Sequence, residues 1–472
     1  MTRALPLLAL SALLCSPGCS SNTATATAPP VQGTTSTLRT NARAGMGHLT
    51  SQYISHVIVI IQENRSFENF FAGYPGANAP MTGCANVPHP GRTATRNSGS
   101  GCPTGDTVVP LHEITFKGPD IEHDWHSSMI SWNNGNMDGF WQFGEHRGAY
   151  SAYAYVKRAA IRPYWEMAQQ YVLADAMYPT EFGGSFTGHL TLVAGTDNLT
   201  YKPQTAEVDF PSAPPDDCDA PPGTKSSYIT KDRHKHSYRG PFPCFDQWRT
   251  IAEVLDTAQV SWKYYATALL NAGMWEPFEA MKYVRYGPDW NRNIIVPQTT
   301  VLTDPGNNQL ASVSFVTPSK QDSDHPAQGS GGPSWVADVV NAIGESSYWD
   351  SSAIIVVWDD WGGWYDNAPP PQLDLRGLGI RVPCLIVSPY AKQGYVAHGP
   401  YEFGSILRFI EETFNLPNIG PVSKGYTDGR AASLDDAFDF TQQPRKFVPI
   451  TRRLGPEYFL HEPPSHEPVD TE

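Results

Sequence analysis

"HVIVIIQENRSFENFF", residues 56–71, changes character halfway along. Val57–Ile61 is an unbroken apolar run, and Glu63 and Asn64 follow it almost at once. Continuous rather than alternating apolarity marks a strand buried on both faces, the habit of parallel strands covered by helices. In such sheets the carboxyl ends of the strands open onto the crevice where ligands bind. A carboxylate and an amide delivered there are candidates for chemistry.

The same pattern recurs in "SVSFV" from 312, "SAIIVVWDD" from 352 and "VPCLIVSP" from 382. Between these runs, "FDQWRTIAEVLDTAQ" from 245, "SWVADVVNAIGES" from 334 and "SILRFIEETF" from 405 carry apolar residues at helical spacing. Strands alternating with helices predict an α/β fold, a mostly parallel central sheet sandwiched by helices. No internal repeat and no linker interrupts residues 45–472, which read as one large domain with loop insertions.

The chain has 472 residues, 40% of them hydrophobic, and a net charge of -14. That balance excludes a general nucleic-acid binder, because phosphate backbones are held by clustered Lys and Arg. Residues 1–19 run from a short charged start through the apolar stretch Ala4–Leu14 to "CSPGCSS", the order of an export signal. Cys19 after Gly18 is placed like a bacterial lipoprotein acceptor, although Ser16 stands where Leu is usual, so lipidation and plain cleavage both stay open. Either route predicts an exported protein: periplasmic, a cell-surface lipoprotein or secreted. Residues 20–44, rich in Ser, Thr, Ala and Pro, read as a disordered tether.

Export permits disulfides. Cys84 and Cys102 bracket a polar loop, and Cys218 and Cys244 bracket a Pro-rich one, so nearest-neighbour pairing would restrain segments unable to build a core of their own. Cys384, inside "RVPCLIVSP", reads as a buried strand residue.

Glu63 and Asn64 end the first strand, Asp359 and Asp360 end "AIIVVWDD", and His325 follows "SVSFVTPS" in "KQDSDHP". Each alone is ordinary turn chemistry. Together, at three separate strand ends on one edge, they are the set of oxygen and imidazole ligands that a divalent cation takes, and the cation offsets the repulsion between adjacent carboxylates. "EFGGSFTGHLTLVAGT", residues 181–196, places Ser185 after a Gly-Gly bend at the start of a helix, where backbone N–H groups favour an incoming phosphate. In "DIEHDWHSSMISWNNGNMDGF", residues 120–140, His123 is a candidate for phosphate contact or leaving-group protonation, and His126 reads as structural.

These motifs, in order, resemble the bacterial phosphoesterase family that contains phosphatidylcholine-type phospholipases C and a respiratory-burst-inhibiting acid phosphatase. The likeness runs from about His56 to Gln442 through "QENRSFENFF", "DIEHDW" with "NMDGF", "FGGSFTGHLTLVAG", "PSKQDSDHP" and "WDDWGGWYD". It implies an alkaline-phosphatase-like three-layer α/β/α sandwich. It also implies one divalent metal held by Glu63, Asn64, Asp359 and Asp360, with Ser185 as nucleophile and further ligand and with His123 and His325 at the phosphoryl group or leaving oxygen. Ser at position 185 resembles the acid-phosphatase branch, Thr being the phospholipase habit. Three departures stand out: Asn367 and Ala368 replace a common His-Val, Thr187 replaces a usual Pro, and Gly188 replaces a usual Asn. The Cys/Ser-x-Pro-x-Arg signature of sulfatases is missing around Ser185.

The expected function is an exported metal-dependent phosphoesterase acting through Ser185. One alternative is a phospholipase C acting on phosphatidylcholine-like lipids, and another is a non-catalytic surface binding protein that keeps the fold. The expected partner is a phosphate ester, a phospholipid among the alternatives, with membrane association arising only from a lipid anchor or from the substrate.

Overall fold

A computed structural model describes residues 50–87, 101–144, 150–270 and 273–463. The export signal, the tether, Cys15 and Cys19 lie outside the described residues. Residues Gly45–Glu472 form one compact unit.

A nine-stranded sheet runs through it. In chain order its strands are β1 (His56–Gln62), β2 (Val172–Tyr178), β3 (Trp262–Tyr265), β4 (Ile294–Ile295), β5 (Val313–Val316), β6 (Ser352–Trp358), β7 (Val382–Val387), β8 (Tyr395–Ala397) and β9 (Tyr401–Glu402). Across the sheet the order is β4-β3-β5-β1-β6-β7-β2-β8, with β9 also paired to β2. β1 lies parallel to both β5 and β6, and only β7 runs antiparallel to its neighbours β6 and β2. The four apolar runs of the sequence are β1, β5, β6 and β7; every residue of β5, β6 and β7 is buried. β2, "VLADAMY", escapes a reading by apolar runs because Ala and Asp dilute it.

Burial on both faces requires cover on both. Helices of eight or more residues include α1 (Trp125–Trp132), α2 (Arg162–Gln170), α3 (Ser185–Ala194), α4 (Ile251–Ala258), α5 (Gly332–Gly344) and α6 (Phe403–Phe414). α2 packs with α5, whereas α3 packs with α4 and α6. The periodic stretch from Phe245 becomes helical only at Ile251, where Thr250 and Glu253 form a capping box that holds the first turn.

Loops are built out as small sheets. Thr82–Ala85 pairs antiparallel with Thr107–Pro110, and Cys84 is bridged to Cys102. Asn198–Tyr201, Gln204–Val208, Ser227–Thr230 and Lys235–His236 form a second sheet. The Cys218–Cys244 bridge encloses the last two of these strands, and Cys384 is a buried free thiol on β7. Bridges closing loops of such length contribute on the order of 3 kcal/mol each by restricting the unfolded chain.

Candidate active site

The register of two strands sets the site. Gln62 of β1 lies beside Trp358 of β6, so Glu63-Asn64 and Asp359-Asp360 leave the sheet side by side. Asn64 adopts φ 54°, a left-handed conformation that Asn tolerates better than most residues, and its backbone N–H donates to Asp359 Oδ1 at 3.0 Å. The turn after Asp360 comes close: Gly362 has φ +60°, and a β-carbon there would stand 2.0 Å from the Asn64 carbonyl oxygen. Only glycine allows both the angle and the approach. All four polar side chains are buried.

Ser185 is the first residue of α3, preceded by Gly184 as the cap. Its hydroxyl lies 3.1 Å from Asp360 Oδ2 and 3.4 Å from Asn64 Oδ1. Thr187 points elsewhere, donating to Glu181 and lying 3.1 Å from the Gly184 carbonyl oxygen. One turn after Ser185 on the same helix, His189 places Nε2 3.1 Å from Glu63 Oε1 and 3.7 Å from Asp359 Oδ2. The sequence reading passed over His189, yet its i, i+4 spacing from Ser185 put both on one helix face.

Two further histidines complete the cluster. A carbonyl oxygen can only accept, so the 2.6 Å contact from His123 Nδ1 to the Ile121 carbonyl makes Nδ1 the protonated nitrogen. His123 Nε2 then accepts from Asn64 Nδ2 at 2.8 Å, and the Asn64 amide bridges His123 to Ser185. His325 donates in the same way from Nδ1 to the Pro326 carbonyl at 2.8 Å, so Nε2 is the basic nitrogen of its neutral ring. The two rings lie 6.3 Å apart, and Trp275 stacks on His325 from 6.3 Å. His126, by contrast, is exposed on α1, in neither core nor site.

His325 is held by its neighbour Asp324. The Asp324 carboxylate accepts from Tyr164 Oη at 2.6 Å and Trp358 Nε1 at 3.0 Å; its backbone N–H donates to Gln62 Oε1 at 2.8 Å. Fully buried Arg65 donates from Nε to the Asp324 carbonyl at 2.8 Å. The loop after β5 is therefore pinned to the ends of β1 and β6. Asn367, at the position of the replaced His, joins another network: it accepts from Arg381 Nη2 at 3.0 Å and donates to Asn78 Oδ1 at 2.9 Å, beside the Arg381–Asp366 pair.

The cluster is acidic and buried, an environment that favours a cation. Burial, together with Asp359 alongside, pushes Asp360 up to about 7, and burial pushes His189 down to about 4. Asp359 Oδ2 is buried with no hydrogen-bond partner among the described residues. Donor atoms of Glu63, His189 and Asp359 lie within 4.8 Å of one another. Mixed carboxylate and imidazole donors fit a divalent cation.

The Phosphoesterase family model matches residues 54–417, and the chain belongs to that family. It is a hydrolase acting on phosphoester bonds. Phospholipase C A of Mycobacterium tuberculosis is 26% identical over 85% of this chain and 80% of its own length. The non-hemolytic phospholipase C of Pseudomonas aeruginosa is 25% identical over 82% of this chain and 57% of its own length. Among solved structures, a protein in the alkaline phosphatase superfamily from Vibrio parahaemolyticus overlaps 79% of this chain and 75% of its own, at 11% identity and a TM-score of 0.32.

Proposed function

We propose that the chain is an exported, metal-dependent phosphoesterase with Ser185 as nucleophile. The observation that carries this reading is Ser185 Oγ, at the start of α3 and 3.1 Å from the Asp360 carboxylate, beside paired strand-end carboxylates. Glu63, Asn64, Asp359 and Asp360 would hold the cation with Ser185, and His189 joins them through Glu63 and Asp359. The cation, when bound, supplies positive charge that favours the serine alkoxide and offsets charge on the phosphoryl oxygens.

The chain's own groups supply the rest. Asp360 Oδ2, 3.1 Å from the Ser185 hydroxyl, would accept its proton, and the amide bridge through Asn64 links the hydroxyl to His123. Attack of Ser185 Oγ on phosphorus forms a phosphoseryl ester and breaks the bond to the leaving alcohol. His325, entering the step as the imidazolium, gives its Nε2 proton to that alcohol and then, neutral at Nε2, takes a proton from the water that hydrolyses the ester. His123 would contact the transferred group once Nε2, which here accepts from Asn64, carries a proton in its turn.

The names of the relatives favour a second reading within this chemistry, a phospholipase C acting on phosphatidylcholine-like lipids. A third, a silent binding protein, gains nothing from a cluster this complete. Turnover of nitrophenyl phosphate and of phosphatidylcholine, each with and without chelator, separates them. A chelator-sensitive release of phosphate from the monoester supports a phosphatase, release of phosphocholine from the lipid supports the phospholipase, and no turnover of either overturns the enzymatic reading.

A further inference from the structure

Behind the loop that carries His325, a cavity of about 720 Å³ gathers Lys117, Lys157, Arg162, Arg452 and Arg453 among its lining residues. No Asp or Glu lines it, in a chain whose net charge is -14. Arg162 is paired with Glu166, and Arg452 with Asp338, both from outside the lining. The Arg453 guanidinium donates to the Ser330 carbonyl at 3.4 Å, its backbone N–H to Ser334 Oγ at 3.2 Å, and no described carboxylate pairs with it or with Lys117 or Lys157. Charges of one sign concentrated in a concavity focus its potential, so the cavity is a local exception to an acidic surface.

The backbone adds to that potential. α2 begins at Arg162-Pro163 and α5 at Gly332-Pro333, and residues of both first turns line the cavity. Neither helix has a side-chain cap at its N-terminus. Two positive helix ends therefore converge on the space that the cations line. Phe116, Pro163 and Pro333 give it an apolar wall. The Phe116–Lys117 wall is rigid: Arg65 Nη2 donates to the Phe116 carbonyl at 2.6 Å, and Ala327 N–H to the Lys117 carbonyl at 2.8 Å.

We propose that this cavity binds a phosphate group carried beside an apolar moiety, separately from the Ser185 cluster. A phosphate answers the cations and the helix ends, and the apolar wall admits what is attached to it. Such a group comes from an anionic lipid headgroup or from a soluble phosphate ester. The binding does not depend on Ser185 being the nucleophile.

The test compares the wild type with the Lys117→Gln/Lys157→Gln/Arg453→Gln variant, using phosphatidylcholine vesicles with and without phosphatidylglycerol. Titration with methylphosphonate, which is not hydrolysed, supplies the soluble arm. Each cation near an anionic surface is worth about fivefold in affinity. The wild type should prefer the phosphatidylglycerol vesicles by at least about tenfold, and the variant, with an unchanged melting midpoint, should lose that preference. Loss of a methylphosphonate site in the variant, without any vesicle preference in the wild type, would support the cavity and name a soluble phosphate as its ligand. A variant that keeps all wild-type binding, or a wild type showing neither kind, overturns the proposal. Should the triple variant unfold, Lys157→Gln alone, an exposed residue of the lining, decides by the same readings.

Discussion

Gly188 on α3 lies so near Asp359 that a β-carbon added there would stand 2.7 Å from the Asp359 carbonyl oxygen. The helix that presents Ser185 is thus seated directly on the strand end that presents the carboxylates. That backbone cannot yield without moving Asp359 or α3. Gly188→Ala should cost about 1–3 kcal/mol of stability, as overpacking does, and should lower kcat by shifting Ser185 against Asp360. Denaturant midpoints together with steady-state kinetics check this; an unchanged kcat would show that α3 can slide freely.

Ser185→Ala should abolish turnover of monoester and diester alike while leaving the fold nearly intact. The lost group is small and its proposed work is chemical. Thr187 cannot replace it, because its hydroxyl is engaged with Glu181 and Gly184. Wild-type turnover in this variant would discard the covalent route in favour of direct attack by water.

His325→Ala should be milder, with a defect that depends on the substrate. A nitrophenolate leaves without help, whereas an alkoxide needs the proton that His325 Nε2 supplies. Rates measured across esters of rising leaving-group pKa should diverge from wild type along the series. A constant ratio would remove His325 from the protonation step.

His189→Gln should weaken divalent-cation binding by at least about tenfold, since it removes an imidazole in contact with two carboxylates that would hold the ion. Competition against a chelating dye reads this without any assay of turnover. Unaltered affinity would confine the ion to the Ser185 side of the cluster.

Asp374 offers a pH signature away from the site. Burial would raise its pKa, but Arg376 and Arg430, at 2.5 and 2.7 Å, outweigh burial and hold it well below the usual carboxylate range. A carboxyl depressed on folding stabilises the fold above its unfolded pKa of about 3.9, and that stability fades as the pH falls toward the folded value. Asp374→Asn should therefore be destabilised by about 2–3 kcal/mol at pH 7, and the gap from wild type should narrow below about pH 4. Urea midpoints across that range measure it.

The strands were readable wherever burial was continuous, as in β1 and β6, and with them the pairing of Glu63-Asn64 and Asp359-Asp360. β2 was not, because a strand built on Ala174 and Asp175 lacks an apolar run. The reversed direction of β7 was also hidden, since direction is set by the connection from β6 and leaves no mark on "VPCLIV". Ser185 stood out by its Gly-Gly bend. His189 did not, for in one dimension it is merely a polar residue in an apolar helix, and its meaning comes from the strand ends beneath it. The roles of Asn64 and Asp324 likewise depend on partners far away in the chain.

Cys384, on the reversed strand β7, gives the protein a built-in clock for unfolding. Burial raises its thiol well above the usual range, and a thiol that neither ionises nor meets solvent is inert to alkylating reagents. It becomes reactive only when the sheet parts between β6 and β2. The rate at which the peptide bearing Cys384 takes up label therefore counts openings of the sheet centre, and a ligand that tightens the strand ends would slow that count without touching the thiol.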